Sequence, residues 1–132
     1  MKNILIKLTP LFVICLIVSN NVNAQDAATT QYKQMGGITG LTEICFETKN
    51  LELTLIKQIG QLFYTQPEMG EMMFGLLYAF YDAKAVAMEK KIVWNGTTQS
   101  YNMKQFDCNN VADKKLIKQF EMQLMNGLKS QG

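Results

Sequence analysis

The sequence predicts an all-α fold: a small disulfide-stapled bundle of three to four helices with one short β-hairpin. Three observations carry this. Apolar residues recur at spacings of three and four through most of the chain. Two cysteines, Cys45 and Cys108, remain once a leader segment is set aside, and an even pair in an exported chain points to a bridge. One Asn-Gly pair is flanked by β-branched and aromatic residues, as in a tight hairpin.

Met1 to Ala24 reads as a secretory signal peptide. Lys2 and Lys7 supply its positive end, and Leu8 to Val18 its apolar stretch. Val22-Asn23-Ala24 suits a signal peptidase, which would leave Gln25 as the new N-terminus. The apolar run is shorter than the roughly 20 residues that span a bilayer, and Pro10 interrupts it. Ile14 precedes Cys15 where a lipoprotein site needs a small residue. Residues 25–132 then form a single helical domain, periplasmic or secreted, with no further segment apolar enough to stay in a membrane.

Within that domain, Gln25 to Gly37 is polar and short of large aliphatics, so a loose lead-in is expected, with Thr39 capping the first helix. Leu41, Ile44, Cys45 and Thr48 share a helical face. After Asn50 the same period continues through Leu51, Leu55, Ile59, Leu62 and Phe63 to about Tyr64. One bent helix and two separate helices fit residues 41–64 equally well. Thr65-Gln66-Pro67-Glu68 restarts the chain, because proline at a first helical position loses no hydrogen bond and Glu68 and Glu71 suit the positive end of the dipole. This helix runs to about Lys91. Its middle, Met72 to Ala87, is apolar on nearly every face, which predicts a central position. Ile92 to Tyr101 predicts the hairpin, turning at Asn95-Gly96. Asn110-Val111-Ala112-Asp113 resembles a capping box opening the last helix, along which Leu116, Phe120, Leu124 and Leu128 repeat. Cys45 and Cys108 would pin the two ends of the domain together.

The composition excludes more chemistry than it suggests. The chain has 13 Lys+Arg against 11 Asp+Glu, and all the cations are lysine. Without histidine there is no imidazole acid–base catalysis and no histidine metal site. Without arginine there is no bidentate clamp for carboxylate or phosphate. Removing the leader takes Lys2 and Lys7, so the lysines and acids balance and no basic surface remains for nucleic acid. Ser100 and Ser130 lack a histidine base, and both cysteines are expected to be oxidised. The pairs Glu43/Glu47 and Glu68/Glu71 read as solvated helix surface. No catalytic residue, metal set or cofactor site is expected, and the protein is read as non-enzymatic.

Binding to another protein is the remaining class. Asp82 follows ten uncharged residues, and a carboxylate there must reach solvent, a hydrogen-bond donor or a partner. Trp94 and Tyr101 stand on the two arms of the expected hairpin, with Asn95 and Gly96 at its tip. Aromatic residues dominate binding hot spots, so these five are the candidate partner-binding residues.

Three segments carry a family likeness: Gly40-Leu41-Thr42-Glu43-Ile44-Cys45, Gly75-Leu76-Leu77-Tyr78-Ala79-Phe80-Tyr81-Asp82-Ala83, and Phe106-Asp107-Cys108-Asn109-Asn110-Val111 with Leu116 downstream. In this order the chain resembles the small periplasmic immunity proteins (Tai-like) that neutralise effectors of bacterial type VI secretion. The resemblance implies an all-helical, often dimeric inhibitor of a toxin. The family usually has a second cysteine pair, absent here, and often proline after the later cysteine, where this chain has Asn109-Asn110. The chain is also similar in plan to periplasmic acid-stress chaperones, which are small, exported, helical and bridged once; that alternative implies a holdase switched by protonating carboxylates.

Overall fold

The computed structural model describes residues 22–93 and 105–131, with side chains from 28 to 93 and from 105 to 129. Among the described residues four α-helices follow one another: α1 Val22–Phe46, α2 Asn50–Thr65, α3 Gly70–Lys90 and α4 Val111–Gln131, with a 3₁₀ turn, Pro67–Met69, between α2 and α3. Among the described residues no helix is long and apolar enough to cross a membrane.

The expected loose lead-in is instead the middle of the molecule. Ala28, Gln31, Tyr32, Met35, Ile38, Thr39, Leu41 and Thr42 of α1 are all buried. The reason is close helix packing, which needs small residues rather than long aliphatics. A Cβ built on Gly36 would lie 2.0 Å from the carbonyl oxygen of Phe80, and one on Gly40 2.8 Å from that of Lys84. Glycine lets the two backbones approach this closely. Ala79, Ala83 and Ala87 are likewise buried on α3. The pairing of Gly36 with Phe80 and Gly40 with Lys84 makes α1 and α3 parallel. Thr39 therefore caps nothing: it lies inside α1, and its carbonyl accepts the Thr42 hydroxyl at 2.9 Å. The Tyr32 hydroxyl has no hydrogen-bond partner among the described residues, and burial pushes its pKa up.

Residues 41–64 divide into two helices. Phe46 ends α1, Glu47 takes a left-handed φ of 57°, and its N–H donates to the Glu43 carbonyl at 3.0 Å. α2 returns antiparallel to α3. Its first turns meet the far part of α3 through Glu52 and Lys84, and its end meets the near part through Phe63 and Phe74, whose rings are 5.5 Å apart. Leu51, Leu55 and Ile59 are the buried face of α2. The Pro67 restart is present as the 3₁₀ turn, and α3 ends as expected at Lys90, with Lys91 at φ 58° and its N–H on the Ala87 carbonyl at 2.8 Å.

α3 is not central, although its sequence predicts that it would be. Met73, Leu76, Ala79, Phe80, Ala83 and Ala87 face inward, while Phe74, Tyr78 and Tyr81 stay exposed. α1 takes the centre instead, and packing on its glycines commits only one side of α3.

After Lys91 the chain forms no strand among the described residues. Ile92 and Gln105 make an isolated antiparallel bridge, and the Phe106 N–H donates to the Lys91 carbonyl at 2.8 Å. A tight turn on Asn95-Gly96 alone would set Ile92 opposite Gln99, so this pairing has a different register. The expected turn itself lies outside the described residues.

Asn110 opens α4 as expected: its Oδ1 accepts the Asp113 N–H at 2.9 Å. The reciprocal bond differs, because the Asp113 carboxylate accepts from the N–H of Asp107 at 2.9 Å. α4 runs back along α1, so that Lys114 and Lys118 lie 5.4 and 4.8 Å over the Phe46 ring. Far along α4, the Leu128 carbonyl accepts the Gln58 amide of α2 at 2.6 Å. The Cys45–Cys108 disulfide joins the end of α1 to the turn before α4, with an S–S length of 2.03 Å and Cα atoms 5.0 Å apart.

Candidate functional site

The close α1–α3 contact leaves the opposite side of α3 free, and that side carries aromatic rings. Phe74, Tyr78 and Tyr81 follow a spacing of four and three, so they form one stripe. Their exposures are 67, 77 and 39%. On α2, Leu53 (63%) and Ile56 (36%) are exposed as well. A globular surface has scattered apolar residues, but several large ones gathered on two neighbouring helices make a patch of the kind that marks an interaction site.

Below the stripe, an ionic lock fixes the helices that bear it. Lys84 Nζ is 2.6 Å from Glu52 Oε1 of α2 and 2.9 Å from Glu43 Oε1 of α1. The Tyr81 hydroxyl donates to Glu52 Oε2 at 2.8 Å. Lys49 approaches Glu43 from solvent at 3.8 Å. One lysine of α3 thus holds acids from two other helices. The Tyr81 ring is further fixed edge-on against Phe80, with centroids 4.9 Å apart.

The electrostatics keep Glu52, Lys84 and Tyr81 in their ordinary charge states at neutral pH. Burial alone would raise the Glu52 carboxyl, but hydrogen bonds from Lys84 and Tyr81 and the Lys84 charge overcome it, and the net shift is downward. Burial alone would lower the Lys84 ammonium, but Glu52 and Glu43 overcome it, and the net shift is upward. Burial and the bond to Glu52 push the Tyr81 phenol up to about 12. These bonds occupy both Glu52 oxygens and the Lys84 ammonium, so the cluster ties α1, α2 and α3 together beneath the stripe.

These directions give a pH dependence. Glu52 stabilises the fold above the ordinary carboxyl range, and that contribution is lost as pH falls through its lowered folded value. Lys84 and Tyr81 stabilise below their ordinary values, and their contributions are lost as pH rises through the raised ones, for Tyr81 through about 12. Lys84→Met should therefore cost about 2–3 kcal/mol at neutral pH, somewhat under the cost of breaking a fully buried pair. The lysine and glutamate side chains keep 12–21% exposure, which is why the smaller figure applies. Urea unfolding across pH checks it: the gap between Lys84→Met and the parent should narrow once Glu52 protonates, and a gap constant with pH would contradict the lock.

Asp82 is exposed on α3. It stands one turn beyond Tyr78 and joins the aromatic face. Trp94, Asn95, Gly96 and Tyr101 lie outside the described residues. Glu43 and Glu47 are not one solvated pair: Glu43 belongs to the lock and Glu47 to the left-handed turn. Phe74, Tyr78, Leu53 and Ile56 were not apparent as surface residues, since a helix apolar all round does not say which side faces out. Among the described residues no group of His, Cys, Asp and Glu gathers as a metal site requires.

No family model matches the chain, and no curated protein or solved structure matches it.

Proposed function

We propose that this protein is an exported, non-enzymatic domain that binds another protein, and that it serves as an immunity protein inhibiting a secreted effector. The observation that supports binding is the exposed stripe of Phe74, Tyr78 and Tyr81 on a helix held rigid by the Lys84 lock. Rigid aromatic side chains lose little entropy on contact and dominate interface energetics. The disulfide suits an oxidising compartment outside the cytoplasm. The immunity role rests on the resemblance of the segments around Cys45, Asp82 and Cys108.

The test expresses the full chain in a bacterial host. The protein recovered from the periplasm should begin at Gln25. Co-expression with the product of the adjacent gene should relieve its toxicity, and the two should co-purify. Tyr78→Ala should weaken that complex at least tenfold, about 1.4 kcal/mol or more, as loss of a hot-spot aromatic does. Neither protection nor a complex would end the immunity role. If the protein then suppresses aggregation of an unfolded client below about pH 3, where carboxylates are protonated, the chaperone alternative takes its place.

A further inference from the structure

α2 is tied to the rest of the molecule differently in its two halves. The second half is held by uncharged groups: the Gln58 amide donates to the Leu128 carbonyl at 2.6 Å, and the Phe63 and Phe74 rings stand 5.5 Å apart. The first half, residues 50–57, buries Leu51 and Leu55 and adds one charged tie. Glu52 Oε1 lies 2.6 Å from Lys84 Nζ, and Glu52 Oε2 accepts the Tyr81 hydroxyl at 2.8 Å. The groups that face this tie are Lys84 and Tyr81 on α3, Glu43 on α1 across the lysine, and Lys49 just before α2. On α4, Lys114 and Lys118 lie over Phe46 instead. The Lys84 and Glu52 side chains are only 12 and 14% exposed, so solvent screens their attraction weakly. The other helix contacts are indifferent to a proton on Glu52. α1 and α3 meet backbone to backbone at Gly36 and Gly40, and the disulfide fixes the end of α1 to the turn before α4.

We propose that the first half of α2 is an acid-released flap, which leaves α1 and α3 when Glu52 loses its charge while the other three helices stay assembled. Burying two leucines is a small gain against the entropy of ordering that stretch of chain, so the charged tie decides whether it stays docked. Protonation removes the one anion that α2 offers to Lys84. The ammonium keeps its own charge and remains with Glu43 of α1, 2.9 Å away. Nothing charged then draws α2 inward, and a half-buried neutral carboxyl is left beside a cation. Opening turns about the second half of the helix, where Gln58 and Phe63 hold without charge. It carries Leu53 and Ile56 away from the aromatic stripe of α3 and bares Leu51 and Leu55. The surface of the protein thus changes with acidity without the fold being lost, whichever partner it serves. The direction agrees with the stability argument: Lys84 and Tyr81 hold the Glu52 carboxyl below its ordinary range, so docking favours the ionised form and protonation favours release.

The test follows hydrogen exchange by mass spectrometry on the full chain, expressed in a bacterial host and purified with its disulfide intact, from about pH 6 to about pH 2 and corrected for the intrinsic pH dependence of exchange. Protection over residues 50–57 should fall at least tenfold in acid, while residues 36–42 of α1 and 79–87 of α3 keep theirs. Glu52→Gln, which mimics the neutral carboxyl, should show the same loss already at pH 6 and little further change in acid. Lys84→Met should reverse the sign. It leaves Glu52 unpaired when ionised, so the first half of α2 is loose at pH 6 and becomes more protected in acid. A residue that merely fills space would not invert a pH profile. Three outcomes would overturn the proposal: protection of residues 50–57 that does not change with pH, an equal loss in all four helices, or a Lys84→Met variant that responds to acid as the parent does. The exchange experiment needs neither a partner nor a client protein, so its result is separate from the tests of the immunity role and of the chaperone alternative.

Discussion

Gly36→Ala is expected to be among the most damaging single substitutions in the chain, costing about 3–5 kcal/mol as severe overpacking does. The added methyl would meet the Phe80 carbonyl oxygen at 2.0 Å. That oxygen belongs to a helix backbone and cannot swing aside as a flexible side chain would. Either α1 and α3 separate along the contact, or one of them bends. Separation would open the core where Tyr32, Met35 and Phe80 are buried. For a domain near 100 residues each kcal/mol is worth about 4–8 °C, so the melting temperature should fall by roughly 15 °C or more. Gly60→Ala is the matched control. It lies within α2 with nothing within 4 Å of its built Cβ, and it should stabilise the helix by about 0.5–1 kcal/mol. Thermal melts followed by circular dichroism decide the matter: similar effects from the two substitutions would mean that α1 and α3 are not in backbone contact.

Removing the disulfide is the second large effect. The cysteines are 63 positions apart, and closing a loop of that length removes unfolded-state entropy worth about 4 kcal/mol in the chain-entropy treatment. Domains of this size have about 5–15 kcal/mol in all, so the bridge is a large share. Cys45→Ala/Cys108→Ala should shift the urea midpoint down strongly without changing the slope, unless the unfolded chain becomes more open, in which case the slope rises as well. The double substitution avoids leaving a lone thiol that pairs between molecules. A midpoint unchanged from the parent would mean that the native contacts at the end of α1 already supply the stability assigned to the bridge.

Much of the helical plan was legible because it is encoded locally. Pro67 starts a turn for its own backbone reasons, Asn110 offers an oxygen to the N–H of Asp113, and the α4 repeat of Leu124 and Leu128 faces inward as spaced. The bridge followed from having two cysteines left to pair. The part of the central helix α1 before Leu41 was not legible. Its glycines, threonines and small residues score as loop, and their helical state depends on the contact with α3, which no local pattern contains. The Lys84 lock was hidden for a related reason, since Glu43, Glu52 and Lys84 meet only after three helices assemble. Asp82 was visible as an oddity in an apolar run. Its exposed neighbours were not, because Phe74 and Tyr78 read like core until Gly36 and Gly40 determine which side of α3 is covered.

The bridge also changes what a protease can achieve. Cys45 lies near the end of α1 and Cys108 just before α4, so α2, α3 and the connection beyond them form a closed covalent ring. A single cut anywhere inside that ring makes two polypeptides that remain one molecule. Such a nicked protein would run as two bands only after reduction, with α4 still tethered beside α1 and the aromatic face of α3 still on its scaffold.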